Sequence, residues 1–296
     1  MVDRGAVKSF GPTLLLVGVT AIWGWTFTVV RDAVVVYGVL GFLAIRFAIA
    51  TAVLAPLSAR RMTRRTLLAG LAIGLVLAVA YLFQTLGLKY TTPTNCGIVT
   101  GLFIVFVPFF DRILYRIRIR KLLWLAVAVS LAGMVLLVGR SPGQLRTGDA
   151  LTVVAAGMYG LHVSLLSRHS RGHDPAALAM GQMLAVALGT GLAWPFFEPL
   201  RLPPARVWWA VAVTGVLASA LAFYIQTFVQ RRLSALRTGI IITTEPLFAA
   251  LFGYLLAGDR LTGIQLVGAG LLMCAIAMSE IVPAWQKARR TDSQAQ

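Results

Sequence analysis

The sequence has little charge, and the charge that it has is unbalanced. Lys, Arg, Asp and Glu make up 12% of the chain, where a soluble domain carries roughly 25%. Only 10 residues are acidic, against 27 Lys and Arg. Hydrophobic residues make up 58% of the chain, and the mean hydropathy is +0.83. This composition excludes an ordinary soluble domain and indicates a membrane protein.

Residues that serve covalent catalysis or bind metals are also scarce. Cys96 and Cys274 both lie inside apolar stretches, so we expect neither a disulfide framework nor a metal site. His169 and His173 have the i, i+4 spacing of metal ligands, but they fall in a predicted loop. No Gly-x-Ser-x-Gly and no His-Glu-x-x-His sequence occurs. The sequence therefore favours neither an enzyme nor a channel with a filter motif, and we expect no cofactor.

Ten apolar runs occupy almost the whole chain. Each approaches the roughly 20 residues that a helix needs to cross a bilayer. The first run is too long for a signal peptide and no cleavage site follows it, so we expect it to be retained. The sequence predicts an all-α integral membrane protein with ten transmembrane helices. These segments 1 to 10 lie at residues 10–30, 38–58, 66–88, 92–114, 121–139, 149–167, 175–197, 206–230, 238–257 and 261–281.

The positive charges lie mostly on one side of this predicted topology. When sides alternate along the chain, one side carries 19 Lys and Arg and the other carries 7, while Arg46 lies inside segment 2. The positive-inside rule then places both termini in the cytoplasm. The basic clusters at 60–65 and 116–121 are interpreted as anchors that meet anionic membrane lipid, with no nucleic-acid partner.

Two stretches of the sequence occur twice in similar form. YLFQTLGLKYTTPTNCGI at 81–98 aligns with FYIQTFVQRRLSALRTGI at 223–240, and IWGWTFTVV aligns with MYGLHVSLL at matching places. Because five is odd, a second five-helix half enters the membrane from the opposite side. The sequence predicts two inverted five-helix repeats, residues 1–140 and 141–296, an architecture of secondary transporters with a substrate site near the midplane.

Four motifs spread along the chain carry a family resemblance. They are WGWTFTVVRD at 23–32, LAIRFAIA at 43–50, TNCGIVTGL at 94–102 and EPLFAALFGYLLAGDRL at 245–261. With these motifs the chain resembles the drug/metabolite transporter (DMT) superfamily, EamA type. The resemblance implies two inverted five-helix units that carry a small molecule across a bacterial cytoplasmic membrane.

Within that superfamily the chain is similar to YddG-like amino-acid exporters. This narrower similarity implies export of aromatic and other neutral amino acids by alternating access through a central cavity. The alternative is another small metabolite or a drug transported by a member of the same superfamily.

Polar and aromatic side chains inside the predicted helices are the candidates for a substrate site. Ionisable groups within a bilayer are costly and usually functional, which singles out His162 and Glu245. Tyr159 lies one turn from His162 and shares its face. The predicted substrate cavity comprises Trp23, Tyr81, Gln84, Thr100, Phe103, Tyr159, His162, Phe223, Gln226, Thr244 and Glu245.

Two pairs within this set are predicted to lie away from its centre. Tyr81 and Gln84 fall near the outer end of segment 3, and Phe223 and Gln226 fall near the inner end of segment 8. These positions favour opposite gates.

Small residues and prolines predict how the helices pack and bend. A small residue on each successive turn lets helix backbones approach closely. Pro108 and Pro246 are predicted to interrupt corresponding helices of the two halves and to act as hinges. The small-residue series are Gly70 and Gly74, Gly97 and Gly101, and Gly181, Ala185 and Gly189.

Two opposite charges lie deep in the predicted membrane. Arg46 and Glu245 are each about 12 Å from opposite faces at 1.5 Å per residue. Either they pair directly, or Arg46 caps backbone carbonyls while Glu245 faces the cavity and attracts a substrate ammonium group. The sequence leaves both alternatives open.

Overall fold

The structure, a computed structural model, describes residues 4–91, 93–138, 147–257 and 262–292, and every regular element in these ranges is helical. The predicted boundary between the repeats, at residues 140 and 141, lies outside the described residues. A 3₁₀ turn, Ser170–Gly172, follows α7, and a π-helical segment, Thr214–Leu221, joins α9 to α10. The helices are α1 Arg4–Tyr37, α2 Val39–Ser58, α3 Arg64–Tyr90, α4 Pro93–Gly101, α5 Phe103–Tyr115, α6 Lys121–Val138, α7 Thr147–His169, α8 Pro175–Phe197, α9 Ala205–Val213, α10 Ala222–Gln230, α11 Ala235–Ile242, α12 Glu245–Ala257 and α13 Gly263–Asp292.

Several helices have the length and apolar character needed to cross a membrane. In the described ranges five qualify, and α1 makes a sixth if its two parts, which meet at 44°, count as one span. Segments 5 and 10 correspond to shorter apolar helices within α6 and α13. This confirms an all-helical chain with membrane-length helices. The five are Val39–Ser58, Arg64–Tyr90, Thr147–Gly172, Pro175–Phe197 and Ala205–Gln230.

Two predicted segments are each broken into two short helices. Leu102 separates α4 from α5, and Thr243 and Thr244 separate α11 from α12. The hydroxyl of Thr243 donates to the carbonyl of Ile240 at 2.6 Å, and that of Thr244 donates to the carbonyl of Ile241 at 2.7 Å. These bonds supply donors to backbone carbonyls near the break, away from water, where an unsatisfied carbonyl is costly.

The two prolines stand in different relations to these breaks. Pro246 follows its break directly and lies in the first turn of α12, where a missing N–H is tolerated. Pro108 lies inside the continuous helix α5, so the prediction that this helix is interrupted at Pro108 is wrong. The break lies at Leu102 instead, more than a turn before the proline.

Helices α3 and α8 cross at small residues. A Cβ added to Gly70 would lie 2.9 Å from the Cα of Gly181. A Cβ added to Gly74 would lie 2.6 Å from the Cβ of Ala185. Real Cβ atoms do not approach so closely, which confirms the predicted close packing at these positions.

The remaining small-residue positions differ from one another. Among the described residues, a Cβ added to Gly97 would meet nothing within 4 Å, so the prediction of close packing there is wrong. At Gly189 it would meet the Cβ of Ala78 at 3.8 Å, an ordinary contact. At Gly101 it would overlap the side chain of Met134 in α6, which confirms close packing at that position.

The carboxylate of Glu198 binds the first backbone N–H groups of α2. It accepts hydrogen bonds from the backbone N–H groups of Val39, Leu40 and Gly41 at 2.8, 3.0 and 3.1 Å. These N–H groups open α2 and have no partner within the helix. Gly38 precedes them with φ at 111°, a conformation that favours glycine. Glu198, after α8, therefore caps α2.

Polar contacts also join other pairs of connections. Arg61 and Asp174 form an ion pair at 3.1 Å, and Thr66 hydrogen-bonds His173 at 2.8 Å. The first contact joins the α2–α3 connection to the α7–α8 connection, and the second joins the first turn of α3 to the same α7–α8 connection. The predicted topology places these connections on one side.

Candidate functional site

A cavity of about 90 Å³ lies where helices from both ends of the chain meet. Nine helices contribute to its wall: α1 to α5, α7, and α10 to α12. The lining residues are Trp23, Thr26, Val30, Arg46, Tyr81, Gln84, Thr85, Leu88, Thr100, Phe103, Tyr159, His162, Val163, Phe223, Gln226, Ile242 and Glu245. We call this the central cavity.

Ten of the eleven residues predicted for the substrate cavity line this one space. Thr244 does not. Its hydroxyl lies 3.0 Å from that of Thr20 in α1 and donates to the carbonyl of Ile241. Thr244 is therefore buried behind the wall, where it joins α1 to the break before α12.

The residues predicted as opposite gates lie together in the central cavity. The ring centres of Tyr81 and Phe223 are 6.0 Å apart, so the prediction of separate gates is wrong. Tyr81 is nine residues from the end of α3, and Phe223 is seven from the end of α10. At 1.5 Å per residue both are more than about 10 Å deep, and their rings cover the remaining distance.

Aromatic rings form the middle of the cavity wall, around Phe223. Its ring centre lies 5.6 Å from Trp23 and 6.0 Å from His162. Tyr81 also stacks edge-on with Tyr159 at 5.7 Å. Tilted and edge-on arrangements are the favoured geometries for aromatic pairs, so these rings hold one another in place.

A chain of hydrogen bonds orients the polar groups on one side. The hydroxyl of Tyr159 donates to Oε1 of Gln84 at 2.8 Å, and Nε2 of Gln84 donates to Thr100 at 3.1 Å. This chain joins α7, α3 and α4. Trp23 of α1 donates from Nε1 to the carbonyl of Ala218 in the π-helical segment at 2.9 Å.

His162 is held by a residue that the sequence did not single out. Its Nε2 donates to Oε1 of Gln182 in α8 at 2.8 Å. Nε2 of Gln182 donates in turn to the carbonyl of Leu178 at 3.2 Å and to Thr227 at 3.4 Å. A glutamine inside an apolar run, as in segment 7, is the signal that could have revealed it.

Arg46 has neither of the arrangements that were predicted for it. Within the described part of the chain no ion pair joins it to Glu245. Its Nε donates to the hydroxyl of Ser219 at 2.8 Å, rather than to backbone carbonyls. Its Cζ lies 5.2 Å from the ring centre of Phe47 and 5.1 Å from that of Tyr81, distances at which a cation is attracted to an aromatic face.

Glu245 is the first residue of α12 and lies at the helix N-terminus. The helix dipole favours a carboxylate at this position. Gln226 is 2% exposed and its Nε2 donates to Gln230 at 3.0 Å.

A second cavity of about 440 Å³ lies near the carboxyl end of α7, where Arg168 and Arg171 line its wall. We call it the arginine-lined cavity. Ser167 lines it, as does Asp111, which accepts a hydrogen bond from Ser164. Its arginines are Arg118, Arg120, Arg168, Arg171 and Arg237.

The two histidines with metal-like spacing face different partners. Nδ1 of His169 bonds to the carbonyl of Leu165, while His173 bonds to Thr66. Across the described ranges, no group of three His, Cys, Asp or Glu side chains could hold a metal ion.

Known proteins share this fold. A solved crystal structure superposes with a TM-score of 0.77, at 21% identity, over 92% of this chain and 97% of the other. An uncharacterized transporter of Archaeoglobus fulgidus is 29% identical over 273 residues, which are 91% of this chain and 86% of that protein. The threonine/homoserine exporter RhtA of Salmonella typhimurium is 28% identical over 162 residues, about half of each protein.

A family match covers most of the chain. The EamA-like transporter family matches twice, over residues 11–139 and 146–280. This agrees with the resemblance carried by the sequence motifs. The chain therefore belongs to the EamA-like transporter family, within the drug/metabolite transporter superfamily, and is a multi-pass membrane transporter.

Proposed function

We propose that this protein exports small neutral amino acids, such as threonine, through the central cavity. One observation carries the proposal: a single cavity contains a buried cation, Arg46, and a carboxylate, Glu245, that do not pair with each other. An α-amino acid carries one charge of each sign. The relative RhtA is named as a threonine/homoserine exporter, which favours the same class of substrate.

The size of the cavity favours the smaller amino acids. Ligand clefts commonly span about 300 to 1,000 Å³, whereas the central cavity holds about 90 Å³. A short side chain fits this volume, whereas an aromatic side chain requires the wall to open. Small neutral amino acids are therefore preferred here over aromatic ones.

Transport follows alternating access between two inverted repeats, residues 1–140 and 141–296, with ten transmembrane helices. The breaks at Leu102 and at Thr243 and Thr244 fall in the fourth helix of each half, which supports the repeat. Pro108 and Pro246 follow these breaks and are proposed as hinges. The pairing of α2 with α8, and of α6 with α13, also supports a two-fold relation between the halves.

The protein is proposed to lie in a bacterial cytoplasmic membrane with both termini in the cytoplasm. The excess of Lys and Arg on the terminal side supports this orientation. Reporter fusions after residue 90 and after residue 232 are expected to report opposite compartments. The same compartment for both fusions contradicts the inverted repeat.

Reconstitution tests the substrate. Proteoliposomes preloaded with unlabelled threonine are expected to accumulate labelled threonine by counterflow, and homoserine and serine to compete better than phenylalanine. Empty liposomes give the background. Transport of another metabolite, with no counterflow of any amino acid, overturns the proposal.

A further inference from the structure

One polar atom in the central cavity has no partner in the described part of the chain. Oε1 of Gln226 is buried and has no hydrogen-bond partner among the described residues. The neighbouring Nε2 is bound to Gln230, so the side chain is held with its acceptor unused. A buried acceptor without a donor is unfavourable, which indicates that a ligand supplies one.

The carboxylate of Glu245 is a second acceptor in the same cavity. No ion pair with it occurs in the described ranges, and its position at the start of α12 stabilises negative charge. Glu245 and Gln226 together offer oxygen atoms to a donor-rich cation. An ammonium group has three N–H donors and no acceptor, so it suits this part of the wall.

Arg46 supplies the opposite chemistry. Nε is bound to Ser219, and the guanidinium also donates a hydrogen bond to the hydroxyl of Tyr81. The Nη–H donors that these two bonds leave are the ones open to a ligand. The rings of Phe47 and Tyr81 fix the plane of the guanidinium. A fixed guanidinium binds a carboxylate through two parallel hydrogen bonds.

The groups of opposite character line one cavity and are linked through one helical stretch. Ser219, which anchors Arg46, lies in the π-helical segment, and Gln226 follows it seven residues later in α10. A short zwitterion within the cavity can therefore meet both kinds of group.

We infer that the central cavity binds an α-amino acid in one orientation, with its carboxylate on Arg46 and its ammonium on Glu245 and Gln226. This inference rests on the proposed function. The side chain of the amino acid then lies against the aromatic wall around Phe223. Arg46 and Glu245 each gain an opposite charge from the ligand, so neither half of the zwitterion is sufficient alone.

Three matched ligands test this orientation by calorimetry on the purified protein. They are L-threonine, L-threoninamide, which lacks the carboxylate, and 2,3-dihydroxybutyrate, in which a hydroxyl replaces the ammonium. The wild type is expected to bind threonine about tenfold or more tighter than either analogue. Arg46→Gln is expected to lose only the preference over threoninamide. Glu245→Gln is expected to lose only the preference over dihydroxybutyrate, and Gln226→Leu is expected to weaken it.

Controls separate recognition from folding. Arg206→Gln changes an exposed arginine of α9 and is expected to keep both preferences. Arg46→Lys retains a cation and is expected to keep part of the preference over threoninamide. Equal weakening of all three ligands in Arg46→Gln and Glu245→Gln overturns the orientation. A wild type that binds none of them but transports another compound overturns the proposed function, before any variant is made.

Discussion

Nε2 of Gln230 donates a hydrogen bond of 2.6 Å to the hydroxyl of Ser167. Ser167 lines the arginine-lined cavity. The amide oxygen of Gln230 accepts a hydrogen bond from Gln226, which lines the central cavity. Gln230 also donates to the carbonyl of Val163 at 2.9 Å. One buried side chain of α10 thus lies between the two cavities and ties α10 to α7.

Removing the hydrogen bonds of Gln230 is expected to open a path from the arginine-lined cavity to the central cavity. In Gln230→Leu the bonds to Ser167 and Val163 are lost, so separation of α10 from α7 becomes easier. A cysteine at Thr100, in a chain whose own cysteines are replaced, reports access to the central cavity. The proposed topology places the arginine-lined cavity on the cytoplasmic side, which everted vesicles expose to the medium. We expect faster labelling by an impermeant thiol reagent added to that side, by about threefold or more, since about 1 kcal/mol is typical of one hydrogen bond.

The matched control is Gln265→Leu, which removes a glutamine at the start of α13 whose side chain bonds to Thr262. Its labelling rate is expected to equal that of the parent. An unchanged rate in Gln230→Leu contradicts the role of Gln230 as a barrier.

The crossing of α3 and α8 predicts a contrast between two glycines. Gly74→Ala places a methyl group 2.6 Å from the backbone carbonyl of Gln182, so the helices must separate. Overpacking of this kind costs about 1–3 kcal/mol. Gly97→Ala adds the same group where nothing lies within 4 Å. Thermal unfolding in detergent is expected to show a clear loss for Gly74→Ala and none for Gly97→Ala. Equal effects contradict the close approach.

The cap on α2 predicts the effect of removing one carboxylate. Glu198→Ala leaves the N–H groups of Val39, Leu40 and Gly41 without their acceptor. We expect a loss of about 1–2 kcal/mol, the range for helix caps, and a smaller loss for Glu198→Gln. Asp32→Asn removes an exposed carboxylate of α1 and serves as the control. Chemical unfolding measures both, and equal stability of Glu198→Ala and Asp32→Asn contradicts the cap.

His173 predicts a dependence of stability on pH. Burial lowers its pKa below the ordinary value of 6.5, and the charges of Arg65 and His169 lower it further. The folded protein therefore keeps His173 neutral, while the unfolded chain takes up a proton near 6.5. Stability is fully present above the unfolded value and is lost as the pH falls towards the lower, folded value.

The unfolding temperature between about pH 7.5 and about pH 5.5 tests this linkage. His173→Asn, which retains an acceptor for Thr66, is expected to fall less steeply with acid than the wild type. His169→Asn, at an exposed position, is expected to keep most of the slope. Parallel curves for the wild type and His173→Asn contradict the assignment.

The position of a side chain along its helix was only partly predictable from the sequence, and its lateral position was not. The rise per residue places Tyr159 and His162 well inside segment 6, and both line the central cavity. Gln226 was expected near the inner end of segment 8, yet it lines the same cavity. The rise per residue does not determine which neighbouring helix a side chain faces. For that reason the partners of Arg46 and His162, which are Ser219 and Gln182, could not be derived.

Helix breaks were also only partly predictable. Pro246 marks its break because proline is favoured in the first turn of a helix. Leu102 carries no such signal, and proline at position 108 is accommodated inside α5. At the break before α12, the hydroxyls of Thr243 and Thr244 donate to carbonyls three residues earlier, and two adjacent threonines do not by themselves mark a helix end.

The cap that Glu198 places on α2 has a consequence for biosynthesis. Glu198 follows Val39 by 159 residues, so the acceptor for the first N–H groups of α2 is translated long after α2 itself. The amino-terminal half must therefore wait in the bilayer with one helix end satisfied by water or lipid headgroups. Once Glu198, which follows α8, has been translated, its carboxylate replaces these temporary partners. The final docking of α2 is therefore coupled to synthesis of the second half of the protein.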